Sequence, residues 1–133
     1  TAAAITDALA ARGLNDLDWR VCYQSRLGPM WLGPHLEDEI RAAGADKIGV
    51  VVVPIAFVSE HLETVVELDD TMRVLATESG VTAYARVPAV GVAQAFIDGL
   101  RELTEAAACG EHVHCHGGAR LCPRRFALCP HAG

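Results

Sequence analysis

The six positions Ile48-Gly49-Val50-Val51-Val52-Val53, closed by Pro54, constrain this chain more than any other stretch. β-Branched residues are stiff at χ1 and suit a pleated sheet, and an apolar run without polar alternation reads as a strand buried on both faces. Such strands belong to parallel sheets covered by helices. The full apolar stretch, from Ile48 to Val58, contains a proline and falls well short of the roughly 20 residues that cross a bilayer. Helical spacing flanks it. Ile5 and Leu9 predict a helix over about 2 to 12 that stops at Gly13, and a second is expected over roughly 35 to 43, stopping at Gly44. Leu62, Val65, Val66, Met72 and Leu75 predict a third from about His61 to Ser79, ending at Gly80, and a fourth covers about 92 to 108. Residues 18 to 25 and 82 to 87 read as shorter strands, and the two Gly-Pro pairs of LGPMWLGP read as a loop. Alternating helices and strands imply right-handed crossovers and an α/β fold with a helix-flanked parallel sheet.

The length of 133 residues suits one globular unit, and the formal charge of −6, with no basic stripe before residue 120, argues against nucleic acid. The first residue is Thr1, no charged-then-apolar leader is visible, and the chain is expected to be a fragment. Of five cysteines, Cys22 stands alone in an apolar segment and reads as a buried residue. Cys109, Cys115, Cys122 and Cys129 crowd into the tail.

Two segments could carry chemistry. PIAFVSEHLETVVELDD places Glu60, His61, Glu63, Glu67 and Asp70 directly after the buried strand, and open α/β sheets bind ligands beyond the carboxyl ends of their strands. Glu63, Glu67 and Asp70 share one helical face, so they could equally be a solvated surface. His61 and Glu63 are harder to dismiss, because two positions apart on a regular helix point roughly 200° away from each other. They converge only if the helix start is extended or widened, as in a π-turn. In the loop, Gln24, Ser25 and Arg26 stand at a strand end, and Trp31 is either a core plug or the wall of a site for a flat aromatic ligand.

The segments VCYQSRLGPMWLGP, VVVPIAFVSEHLETVVELD and SGVTAYARVP, in this order, closely resemble the second half of ferrochelatases across most of residues 19 to 88. The resemblance implies a chelatase-type sheet, one Rossmann-like half, whose activity is insertion of ferrous iron into protoporphyrin IX to form protohaem. It implies that His61 and Glu63 are catalytic and stand at the porphyrin face, with Glu67 and Asp70 continuing a line of acids, all four on the path of the iron. Gln24, Ser25, Arg26, Trp31, Phe57 and Glu60 match residues that line the macrocycle pocket. One departure stands out: the family usually reads GPxxWLGP, and this chain reads GPMWLGP, one residue shorter before Trp31. The N-terminal half of the enzyme, with its opposing histidine, is an implied partner, and this half alone is expected to be inactive.

The residue types suit the reaction. A neutral histidine accepts protons near pH 7 and also binds ferrous iron, and bulky walls can hold a macrocycle in a saddled shape that exposes its nitrogens. The tail cysteines, spaced C-x5-C-x6-C-x6-C among His112, His114, His116 and His131, could form two disulfides, bind zinc with mixed ligands, or hold an iron-sulfur cluster. The resemblance favours a [2Fe-2S] cluster on Cys109, Cys115, Cys122 and Cys129, giving a chelatase domain over 1 to 108 and a cluster tail over 109 to 133. A cytoplasmic protein is expected, with peripheral membrane contact and a homodimer left open. The competing readings are a non-catalytic iron-sulfur or haem-binding module and, less favoured by the motif, a cobalt or nickel chelatase.

Overall fold

The computed structural model of the chain describes residues 1 to 25, Gly28, residues 30 to 109 and Arg125. These belong to two compact units, Thr1–Gly91 and Val92–Gly133. The first holds α1 (Ala2–Ala10), α2 (Leu36–Ala45), β1 (Val50–Val52), α3 (Leu62–Val65), a π-helical segment (Glu67–Thr71), α4 (Met72–Ser79) and β2 (Tyr84–Arg86). The second holds α5 (Gln94–Ala108). No described helix is long and apolar enough to cross a membrane.

β1 and β2 pair in parallel with Val50 opposite Tyr84, Val51 opposite Ala85 and Val52 opposite Arg86. The helices between them form the crossover that a parallel pair requires. α2 starts with Glu37, Asp38 and Glu39 in its first turn, where negative charge complements the helix dipole. α4 ends at Gly80, which takes the left-handed conformation at φ 88° that favours glycine. The core is the cluster Leu36, Ile40, Leu68, Met72 and Ala76, with Cys22, Val52, Leu75, Val81 and Tyr84 packed against it. Ile40 and Leu68 are fully buried, each worth roughly 1.5–3 kcal/mol of transfer free energy. Burial, with Glu39 and Glu37 nearby, pushes the Cys22 thiol up, so it acts as a protonated apolar filler.

Four expectations change. Within the first unit the β1 run is covered on one face only: Val52 packs on the core while Val51 is 65% exposed, because no helix of that unit covers the other face of the sheet. Residues 18 to 25 do not form a strand. They pair only at Tyr23, which bridges His35 through Tyr23 N–H to the Pro34 carbonyl at 2.9 Å and Leu36 N–H to the Tyr23 carbonyl at 3.0 Å. Gly44 lies inside α2 rather than ending it, and the reason is packing. A Cβ there would collide with the Ser79 carbonyl of α4, so the two helices meet through a position that only hydrogen fits. Finally, the helix expected over 61 to 79 is three pieces, α3, the π segment and α4.

Candidate active site

Val52 and Arg86 end the two parallel strands side by side, so both chains leave the sheet at its carboxyl edge. The loop after β1 then leads to His61, which caps α3 in extended backbone at φ −159°, ψ −171°. Thr64, fully buried, fastens this turn: its Oγ1 accepts the His61 N–H at 2.9 Å and donates to the His61 carbonyl at 3.0 Å. The imidazole folds over the helix start, with Nδ1 accepting the Glu63 N–H at 3.1 Å. The Phe57 ring meets it edge-on, with centroids 4.5 Å apart. An extended helix start therefore brings the His61 imidazole onto the backbone amide of Glu63, with no hydrogen bond to its carboxylate among the described residues, while the widened turn comes later. An imidazole whose Nδ1 accepts a bond carries its proton, when neutral, on Nε2. Nε2 has no protein partner among the described residues and is the atom left for a ligand or solvent.

The loop at residue 24 is tied across this turn. Gln24 donates from Nε2 to the Glu63 carbonyl at 2.9 Å, and Ser25 donates to Glu67 twice, from its N–H at 2.9 Å and its hydroxyl at 2.8 Å. Trp31 Nε1 donates to the Gln24 carbonyl at 2.9 Å. At 37% exposed and outside the core cluster, the indole is a surface wall and not a core plug. Glu67 thus holds the loop, Trp31 stiffens it, and Glu63 presents its backbone to the loop.

Widening of the helix has a visible cause. The Met72 N–H reaches back five residues to the Glu67 carbonyl, and the Leu68 carbonyl, which a regular α-helix would pair with Met72, accepts the Tyr84 hydroxyl at 2.8 Å. Burial first, then the nearby Asp69 carboxylate, pushes the Tyr84 phenol up to about 12, so it remains a donor. Arg86 closes the arrangement. Its side chain is 9% exposed and forks between Glu60, at 2.7 and 2.9 Å from Nη1, and Asp69, reached by Nε at 2.8 Å and by Nη2. Glu60 also accepts the Ala89 N–H at 2.8 Å. The Thr64 hydroxyl, Arg86 and that amide hold the Glu60 carboxyl down to about 2, and the Arg86 bond holds Asp69 below the usual range.

Of the residues expected from sequence, His61, Glu63, Glu67, Gln24, Ser25, Trp31 and Phe57 come together around the α3 start. Glu60 is engaged with Arg86, and Asp70 is exposed with no side-chain hydrogen bond among the described residues. Arg26, Cys115, Cys122 and Cys129 lie outside the described residues. Cys109 is exposed, in no disulfide, just past α5. Among the described residues, no three His, Cys, Asp or Glu side chains gather to hold a metal ion. Sequence reasoning missed Thr64, Asp69, Tyr84 and Arg86. Arg86 and Tyr84 lie in SGVTAYARVP, a segment that carried the resemblance without a role for either residue. A cavity of about 210 Å³ lined by residues that include Thr6, Leu14 and Trp19 is separate from this site.

A histidine and glutamate stand at the carboxyl edge of a small parallel sheet, on an extended helix start with an aromatic loop tied across it, in a mixed α/β arrangement consistent with a chelatase-type fold. The sequence profile of the ferrochelatase family matches residues 1–108. The chain is 46% identical over 129 residues to the ferrochelatase of Caulobacter vibrioides, covering 89% of this chain and 37% of that one. It is 50% identical over 113 residues to that of Phenylobacterium zucineum, covering 84% and 33%, and 42% identical over 131 residues to that of Hyphomonas neptunium, covering 97% and 37%. The chain belongs to the ferrochelatase family. It spans a little over a third of the length of the curated relatives it matches.

Proposed function

We propose that this chain forms one wall of a ferrochelatase active site, in which ferrous iron enters protoporphyrin IX to give protohaem. The observation that carries the reading is the tie between the two segments that could carry chemistry: Gln24 and Ser25 are hydrogen-bonded onto Glu63 and Glu67, so the Trp31 loop and the His61 turn border one surface. The reaction needs two pyrrole N–H protons to leave as the ferrous ion sheds water and binds four nitrogens. Iron is ferrous before and after, so no electron has to move. Phe57 and Trp31 offer apolar faces to the macrocycle, and preferential binding of a bent ring would expose its nitrogens. His61 can accept a proton only through Nδ1, which must first release the Glu63 amide, or after its proton shifts from Nε2 to Nδ1. Glu63 and Asp70 are exposed carboxylates able to take up protons or pass an aquated cation.

The opposite wall would come from the part of a ferrochelatase that this chain does not span, which makes that part its partner. On the resemblance to ferrochelatases, we assign a [2Fe-2S] cluster to Cys109, Cys115, Cys122 and Cys129, of which Cys109 is exposed and in no disulfide. When bound, the cluster supplies a redox centre that insertion of an already ferrous ion does not consume. The reading is cytoplasmic, with peripheral membrane contact suited to a poorly soluble substrate. His61→Ala and Glu63→Gln in the full-length enzyme test the reading. Turnover should fall about a hundredfold or more with little change in thermal stability, as for removal of a positioned acid-base group. Near-normal turnover in both would refute the site.

A further inference from the structure

The strongest polar contact in the first unit lies beside the proposed catalytic turn and touches none of its reacting groups. Arg86 ends β2, is nearly buried, and holds two carboxylates that are nine positions apart in sequence. Glu60 is the residue immediately before His61, and Asp69 lies in the π segment. A single planar guanidinium therefore fixes the approach to the helix start against its widened turn and against the end of the sheet. The Ala89 amide donates a further bond to Glu60, which ties the same point to the segment after β2.

We propose that Arg86, acting through Glu60, is the positioning residue for His61: it sets the extended backbone from which the imidazole reaches over Glu63. This rests on the reading of His61 as the group that works on the porphyrin, and it moves Glu60 from macrocycle contact to positioning. The need for arginine follows from geometry. Nε and Nη2 serve Asp69 while Nη1 serves both Glu60 oxygens, a division that the single ammonium of lysine cannot reproduce. Without the fork, the Ala89 amide and Thr64 would still hold the backbone at Glu60 and His61, and the Glu63 amide and Phe57 the imidazole, but the turn would lose its tie to β2 and the imidazole would sample rotamers away from the productive one. A merely structural Arg86 would cost stability and leave the chemistry of the folded molecules intact. A positioning Arg86 lowers the rate of folded enzyme while the porphyrin walls, Trp31 and Phe57, keep binding.

The test uses full-length enzyme with porphyrin concentration varied, in Arg86→Lys, Glu60→Gln, the double variant and His61→Ala. For Arg86→Lys and Glu60→Gln, kcat should fall about tenfold to a hundredfold, the scale of a misplaced catalytic group. The porphyrin KM should stay within about threefold, and the double variant should be no slower than the worse single one, because both break one link. Near-ultraviolet circular dichroism at the assay temperature establishes that each variant is folded. If Arg86→Lys does not fold, Glu60→Gln carries the test alone, since its carboxylate is 39% exposed and its loss leaves the Asp69 arm intact. A kcat within twofold of the parent in Glu60→Gln, or losses that multiply in the double variant, would overturn the proposal. His61→Ala separates the two levels: normal turnover there sinks the reading of the site itself. Inactive His61→Ala beside normal Glu60→Gln sinks only the positioning role.

Discussion

Replacing Tyr84 by phenylalanine should remove one of the ties between the widened helix turn and β2, leaving the Arg86–Asp69 pair in place, without disturbing the core. The phenol donates at 2.8 Å to the carbonyl of Leu68, a residue with no exposed surface, and the amide that would otherwise bond that carbonyl, from Met72, is committed to Glu67. A typical hydrogen bond is worth about 1 kcal/mol net, and a buried acceptor left without a partner raises the loss to about 1–3 kcal/mol. The phenylalanine ring keeps the packing against Met72 and its neighbours and keeps Arg73 over its face, 5.4 Å from the centroid. Packing therefore contributes little to the difference. In urea unfolding of the full-length protein, a loss of about 2 kcal/mol divided by a slope of about 2 kcal/mol/M moves the midpoint down by about 1 M, with the slope unchanged. An unchanged midpoint would mean that the Leu68 carbonyl is satisfied inside the helix, and that the wide turn does not depend on the Tyr84 hydroxyl.

Gly44→Ala, which in an exposed helix would stabilise by about 0.5–1 kcal/mol, should here destabilise by roughly 1–3 kcal/mol in thermal melts, because the new methyl meets the Ser79 backbone. Glu60, held down to about 2, and Asp69, held below its usual range, have folded-state values below their unfolded ones, so their stabilisation is complete above the unfolded carboxylate range of about 4 and is lost as pH falls through the folded values. Acid unfolding followed by circular dichroism should accordingly be shallower across this window in a Glu60→Gln, Asp69→Asn double variant than in the parent. Protein purified without chelators should be red-brown and bleach on reduction, and Cys109→Ser should weaken the colour while Cys22→Ser preserves it; colourless protein with one zinc per chain would refute the cluster.

Much of the helical pattern was legible locally. Periodicity located α1, α2 and α5 and the end of α4 to within a few residues, and Gly80 does cap α4 in the left-handed conformation. Gly44 shows the limit of that logic. A glycine near a helix end has the same local signature whether it stops the helix or lets a neighbour approach, and only α4 across from it distinguishes the two. Residues 18 to 25 failed for a related reason: a strand exists through its partners, and here a partner is found only at His35.

The sequence by itself determined the parallel α/β order, the family, and the positions of His61, Glu63, Gln24, Ser25 and Trp31, because short motifs and side-chain periodicity are local properties of the chain. It also stated the condition under which His61 and Glu63 could meet. The condition is met locally, through an extended cap fastened by Thr64 three residues on, whereas tertiary structure decided where the helix widens, through Tyr84 on the Leu68 carbonyl. Tertiary structure alone paired Ser25 with Glu67 and Arg86 with Glu60 and Asp69. These contacts join segments 17 to 42 positions apart, and no pattern within one segment encodes a partner that only the folding of the chain brings near.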